Sequence, residues 1–177
     1  MKRKHIILIT IVVILVVLSI LTSLLKSVSG TVVDAETGKP IEGAVVLVEW
    51  TRRVGIGDYH TVSVRIAETV ADKEGKFTAF GPLHPFVDPP NVTVYKRGYV
   101  AWNSKITFPD YKVRTDFKWR NGYEFKLQNF KPVFTHDAHV TFILRSYSFG
   151  LGANSKFQEA WQWETLLSLD ETKKKSK

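Results

Sequence analysis

The stretch Val28-Ser29-Gly30-Thr31-Val32-Val33-Asp34-Ala35-Glu36-Thr37-Gly38-Lys39-Pro40-Ile41-Glu42-Gly43-Ala44-Val45-Val46 decides the fold. Val28–Val33 is a short run rich in β-branched residues, which suit a pleated, half-buried surface. Residues 34–40 are turn chemistry, with Gly38 free to take a positive φ. Ala44–Trp50 is nearly continuous in apolar residues, which fits a strand buried on both faces or lying in a sandwich core.

Working outward, Arg52–His60 contains Gly55 and Gly57 and reads as a loop. Thr61–Val70 alternates, with Val62, Val64 and Ile66 on one face and Ser63, Arg65 and Ala67 on the other. Asp72-Lys73-Glu74-Gly75 is a hairpin turn leading into a strand at Lys76–Phe80. Leu83–Pro90, with three prolines, is a surface loop. Val92–Lys96 and Tyr99–Trp102 read as strands around Arg97-Gly98. Ser104–Asn121 is basic and aromatic without clean periodicity and looks like an insertion. Tyr123–Leu127 alternates and closes the sheet. Many short strands punctuated by turns predict an all-β sandwich.

Beyond residue 127 the pattern changes. His139–Leu144 is expected to add a strand or lie as an extended arm, and Ser148–Asn154 is glycine-containing punctuation. Ser155 followed by Gln158 has capping-box spacing. Phe157, Ala160, Trp161, Glu164 and Leu167 then recur at helical intervals, predicting a helix from about Lys156 to Leu169. Lysines at 173, 174, 175 and 177 end the chain.

At the other end, Met1-Lys2-Arg3-Lys4-His5 precedes twenty uncharged residues, Ile6–Leu25. A run of that length crosses a bilayer as a helix, and it exceeds the roughly 7–15 apolar residues of a cleavable signal. A spanning anchor is therefore expected, the alternative being cleavage near Ser27-Val28-Ser29. The basic cluster keeps the N-terminus in the cytoplasm and sends the remainder to a periplasmic or extracellular location. The expected organisation is residues 1–26 as basic cluster and transmembrane anchor, 27–127 as sandwich, and 128–177 as arm, helix and lysine-rich tail.

The quoted opening stretch resembles the start of a carboxypeptidase regulatory-like domain, a transthyretin-like (prealbumin-like, Ig-like) seven-stranded β-sandwich family. Ala71-Asp72-Lys73-Glu74-Gly75-Lys76-Phe77-Thr78 is similar to that family's Thr-Asp-x-x-Gly-x-Phe hairpin. Asn91-Val92-Thr93-Val94-Tyr95-Lys96-Arg97-Gly98-Tyr99 is similar to its strand ending Lys-x-Gly-Tyr. The resemblance covers roughly residues 28–105, with Tyr123–Leu127 as a final strand. It implies a module that stabilises, connects or binds, without catalytic machinery.

Composition narrows function further. The chain has no cysteine, which excludes disulfides, thiolate metal sites, cysteine nucleophiles and lipid attachment through cysteine. Its net charge is +8, which invites a nucleic-acid partner. Yet Lys2, Arg3, Lys4 and Lys26 flank the apolar run, leaving +4 for residues 27–177, and only +2 once the tail after Leu169 is set aside. The charge is mostly a topology signal, and no nucleic-acid partner is expected.

Three chemistries compete. Hydrolases of the transthyretin-like fold carry a catalytic histidine on their first strand; Thr31 stands at that place, and their terminal Tyr-Arg-Gly-Ser motif is missing, which leaves no general base for water. His136, Asp137 and His139 form the densest titratable cluster. A strand would send the two histidines to opposite faces, whereas a turn would let all three converge as metal ligands; polar loop residues are the plainer reading. Aromatics interleave with cations between Tyr95 and Tyr123. Exposed, Trp102, Tyr111 and Trp119 would stack on sugars; buried, they fill the core. Asn91-Val92-Thr93 fits a glycosylation pattern. Trp161 and Trp163 either pack on the sheet or dock a partner. The expected role is a non-enzymatic, membrane-anchored module of the cell envelope, without cofactor. Its partners are the lipid bilayer and either an envelope protein or a glycan.

Overall fold

The computed structural model describes residues 2–84, 86–146 and 155–175, apart from the side chains at 2, 22–25 and 175. Helix α1 (Lys2–Leu25) is followed by strands β1 (Val28–Asp34), β2 (Val45–Val54), β3 (His60–Val70), β4 (Lys76–Ala79), β5 (Asn91–Tyr95), β6 (Trp102–Asn103) and β7 (Tyr123–Leu127). Helices α2 (His136–Arg145) and α3 (Lys156–Lys175) complete the order. The strands form a β-sandwich of two sheets, β4-β1-β7 and β3-β2-β5-β6. All neighbours are antiparallel except β1 and β7, which run parallel from Gly30↔Tyr123 to Asp34↔Leu127. The punctuation expected at 148–154 lies outside the described residues.

The near-continuous apolar character of β2 has its explanation in a third layer. Val46, Val48 and Trp50 point between the sheets, joining Val28, Val32, Phe77, Val92, Val94, Phe125 and Leu127. Leu47 points the other way, into a second core with Tyr95, Ala101, Phe142, Ile143 and Phe157. The four-stranded sheet is thus covered on one face by the three-stranded sheet and on the other by α2 and α3. Each large side chain removed from water contributes about 1.5–3 kcal/mol, so both faces of β2 stabilise the fold.

This layer corrects the reading of residues 128–177. His139–Leu144 is neither strand nor arm but part of α2. Thr135, in extended conformation, caps that helix by accepting the Ala138 N–H, an N-cap role natural to threonine. His139, Phe142 and Ile143, at i, i+3 and i+4, form its buried face. At the other end, the Ser146 carbonyl accepts from Asn91 Nδ2 (2.9 Å), Thr93 Oγ1 (3.1 Å) and Asn103 Nδ2 (3.0 Å). The polar residues on the outer face of β5 and β6 therefore receive the C-terminus of α2, and Asn91 is buried there rather than presented for glycosylation.

Helix α3 continues to Lys175, past the expected end near Leu169. Its start is capped from the sheet. Glu68 lies opposite Leu47 on β3; its carboxylate accepts from Ser155 Oγ (2.6 Å) and from the backbone N–H groups of Lys156 (3.0 Å) and Phe157 (2.9 Å). The sequence pair Ser155/Gln158 contributes the local part, with Gln158 N–H donating to Ser155 Oγ at 3.2 Å.

Two further differences concern β boundaries. Strand pairing reaches further into Arg52–His60 than expected: β2 and β3 stay paired out to Val54↔His60 beyond a register shift at Trp50/Thr51, and the expected glycine loop narrows to residues 55–59. Of Tyr99–Trp102 only Trp102 pairs with β5; Tyr99, whose N–H closes on the Lys96 carbonyl, forms an isolated bridge with Asn129, and residues 100–101 are irregular. Between β1 and β7, Gly30 permits a close approach: a Cβ there would lie 2.5 Å from the Tyr123 carbonyl oxygen and 2.6 Å from the Phe125 ring. Helix α1 stands apart from this body. Arg3–Leu21 is long and apolar enough to cross a membrane, with mean hydropathy 2.8 and none of it buried.

Candidate functional site

The densest chemistry of the folded body lies between the helices and the four-stranded sheet. Helical spacing on α2 puts His136 and His139 on one face, where they meet Glu164 of α3. Glu164 Oε2 lies 2.6 Å from His136 Nδ1 and 3.2 Å from His139 Nδ1. Glu164 Oε1 accepts from the Tyr95 hydroxyl at 2.6 Å. His136 also places Nε2 3.9 Å from Glu171 Oε1 and stacks on Phe130, with ring centroids 4.5 Å apart. Rings of Tyr95, Phe108 and Phe130 surround His139.

His139, Glu164 and Tyr95 are buried. Burial pushes the Glu164 carboxyl up, but contacts from His139, Tyr95 and His136 outweigh it and hold its pKa down at about 2. The same carboxylate and the loss of solvent push the Tyr95 hydroxyl well above its ordinary value, burial being the larger cause.

The nitrogen and oxygen atoms of His136, His139 and Glu164 lie within 4.8 Å of one another, so a metal must be considered. The proton arrangement opposes one. The Ala101 N–H donates to His139 Nε2 at 2.8 Å, which occupies that lone pair and leaves the ring's proton on Nδ1, facing Glu164. A metal-bound imidazole needs the reverse, with the second nitrogen carrying the proton outward. His139 Nδ1 has an ion-pair distance to Glu164 but a poor hydrogen-bond angle. The cluster is therefore a polar bolt joining α2, α3, β5 and the segment before β6. Asp137 takes no part in it, being exposed with only a 3.5 Å contact from Ser168 Oγ.

The aromatic expectation divides. Trp102 is only 7% exposed; Phe117 and Phe125 pack edge-on against it, and the Arg114 guanidinium lies 4.5 Å above its ring. It is a core residue, and the reading of it as an exposed stacking surface is corrected. Tyr111 belongs to the helix-side core, where its hydroxyl donates to the Ala138 carbonyl at 2.9 Å and its ring packs on Phe142. It ties the 104–121 insertion to α2. Trp119 alone lines an open groove of about 440 Å³, with Lys26, Trp50, Val87, Asp88, Pro89 and Pro90. The three residues share no single surface.

Sequence reasoning missed Glu164 and Tyr95 as members of the cluster. A signal existed for Glu164: it is the single acid among the five residues at helical spacing on the face of α3 that packs inward. Next to Glu164 on that helix, Trp163 has the Arg97 guanidinium 3.4 Å from its ring centroid, so Trp163 packs on its own domain.

No family model matches this chain, and no curated protein does. Among solved structures it is similar to the streptococcal ancillary pilin, with 18% identity and a TM-score of 0.33 over 60% of this chain and 29% of that one. It is also similar to a double-mutant form of the shaft pilin SpaA from Lactobacillus rhamnosus GG, with 17% identity and a TM-score of 0.30 over 58% of this chain and 44% of that one. The chain therefore spans well under two thirds of either pilin's length.

Proposed function

We propose that this protein is a membrane-tethered β-sandwich module that works outside the cytoplasm, without catalysis, in a structural or binding role in the cell envelope. The observation that carries this reading is α1. Its apolar surface over Arg3–Leu21 is wholly uncovered by the rest of the chain, and only Lys26 and Ser27 separate it from β1. Uncovered apolar surface of that length has a bilayer as its natural solvent. The basic residues before the span orient it with the N-terminus in the cytoplasm.

Within the sandwich, the seven strands, the Asp34–Pro40 turn and the Asp72–Gly75 hairpin support the carboxypeptidase regulatory-like, transthyretin-like assignment. Two observations support the reading without catalysis: Thr31 supplies no imidazole, and the histidine–carboxylate cluster found among the described residues is committed to holding helices together. Alkaline carbonate extraction of membranes tests the tether. The full chain is expected in the pellet, and a variant lacking residues 2–25 in the supernatant; release of the full chain would overturn the reading.

A second reading, glycan binding, now rests on Trp119 and its groove over Trp50, a shape on which a sugar face can stack. Cell-wall pulldown lost on Trp119→Ala would support it; undiminished pulldown would remove it.

A further inference from the structure

The connection between β4 and β5 carries three large apolar side chains in the open: Phe80 (54% exposed), Leu83 (61%) and Phe86 (79%). Single exposed apolar residues are ordinary. Three within seven positions, on one loop, at one place in the fold, are not. The place is the exit of α1. Ala79, the last residue of β4, pairs with Val28, the first of β1, so the loop emerges beside the start of the sandwich. It is fastened there. Lys26 Nζ donates to the His84 carbonyl, and Gly81 packs so closely on Lys26 that a Cβ would lie 2.5 Å from the Lys26 Cβ and 2.6 Å from its carbonyl oxygen. The Phe86 N–H in turn donates to His84 Nδ1 at 3.2 Å.

We propose that Phe80, Leu83 and Phe86 insert into the interfacial layer of the bilayer that α1 crosses, forming a second anchor that holds the sandwich down on the membrane. The proposal rests on the spanning reading of α1. At a helical rise of about 1.5 Å per residue, Lys26 sits one step beyond the apolar run, so a loop bound to Lys26 lies at headgroup depth. Aromatic and aliphatic side chains are favoured at that depth, and a lysine there turns its ammonium toward the polar layer. Trp119 and Lys26 line the adjoining groove, which extends the same face. The uncovered loop continues an apolar surface that already has the bilayer as its partner, and this continuity favours lipid over a protein partner.

The chain contains no cysteine, so single-cysteine variants give unambiguous labelling. Full-length Phe86→Cys, Leu83→Cys, Ile14→Cys and Lys73→Cys variants, each carrying an environment-sensitive fluorophore, are reconstituted in phosphatidylcholine–phosphatidylglycerol vesicles. Labels at positions 86 and 83 are expected to shift to shorter wavelength and lose emission to lipids spin-labelled near the headgroup. The label at position 14 should respond to lipids spin-labelled near the chain end, and that at position 73 to aqueous iodide alone. If positions 86 and 83 instead behave like 73 while 14 is quenched from the chain end, the second anchor is overturned and the span survives. If 14 is also reached only by iodide, the span itself fails and the proposal falls with it.

Discussion

The imidazole Nε2 of His139 accepts the backbone N–H of Ala101 at 2.8 Å, and this bond sets the character of the buried cluster. It directs the ring's proton toward Glu164 and couples α2 to the segment entering β6. Replacing His139 by alanine leaves the Ala101 N–H and the Glu164 carboxylate under-satisfied and opens a cavity. A loss of about 2–4 kcal/mol is expected in urea denaturation of the domain without α1. Added zinc should leave the midpoint of the unaltered domain where it is; a zinc-dependent rise would restore the metal reading of His136, His139 and Glu164.

Glu164 predicts the acid behaviour. Its folded pKa is about 2, against an ordinary value of 4.5. The unfolded chain therefore takes up a proton over a range where the folded one does not. The associated stability is complete above about pH 4.5 and disappears as pH falls toward 2. Glu164→Gln should be less stable at neutral pH and show a flatter decline across that window. At the alkaline end, the raised Tyr95 hydroxyl means that unfolding becomes easier as pH climbs past about 10, where the unfolded phenol ionises first. Denaturant midpoints measured across pH check both limbs.

Glu68 and helix α3 offer a local test. Because the Glu68 carboxylate accepts the Lys156 and Phe157 N–H groups, Glu68→Ala should lower stability by about 1 kcal/mol, the scale of a lost N-cap. Exchange of those two amides should quicken, with little change in β1 or β7. Uniform acceleration across all strands would contradict the assignment.

The two tryptophans should part company. Trp102→Ala removes a core side chain and is expected to cost about 3–5 kcal/mol. Trp119→Ala, on an open groove, should cost less than half as much. Thermal or chemical denaturation of both variants decides the matter, and equal losses would place Trp119 in the core as well.

These contrasts mark how far the sequence could be read. The strands of the sandwich follow from local signals: β-branched runs, glycine turns at Gly38 and Gly75, and the nearly continuous apolar character of residues 44–50, broken only at Glu49, which fitted burial on both faces or a sandwich core. What covered the second face did not follow, because α2 is short and its buried positions mix His139 with Phe142 and Ile143. That pattern is too brief to separate helix from strand by period. The cluster stayed hidden for a related reason. His136 and His139 are neighbours in sequence, but Tyr95 and Glu164 lie 69 residues apart, and only packing brings them together. Trp102 and Trp119 carry the same residue type in similar basic surroundings, and nothing local tells the core tryptophan from the half-buried one at its edge.

The most direct measurement of the tethered topology uses Lys73→Cys, the lone thiol in an exposed turn beyond the far end of β1. Spheroplasts expressing this full-length variant are treated with a membrane-impermeant maleimide before and after lysis. The expected result is full labelling before lysis, on protein that stays with the membrane. Labelling that requires lysis would place the sandwich in the cytoplasm and contradict the topology on which both the proposed role and the second anchor depend.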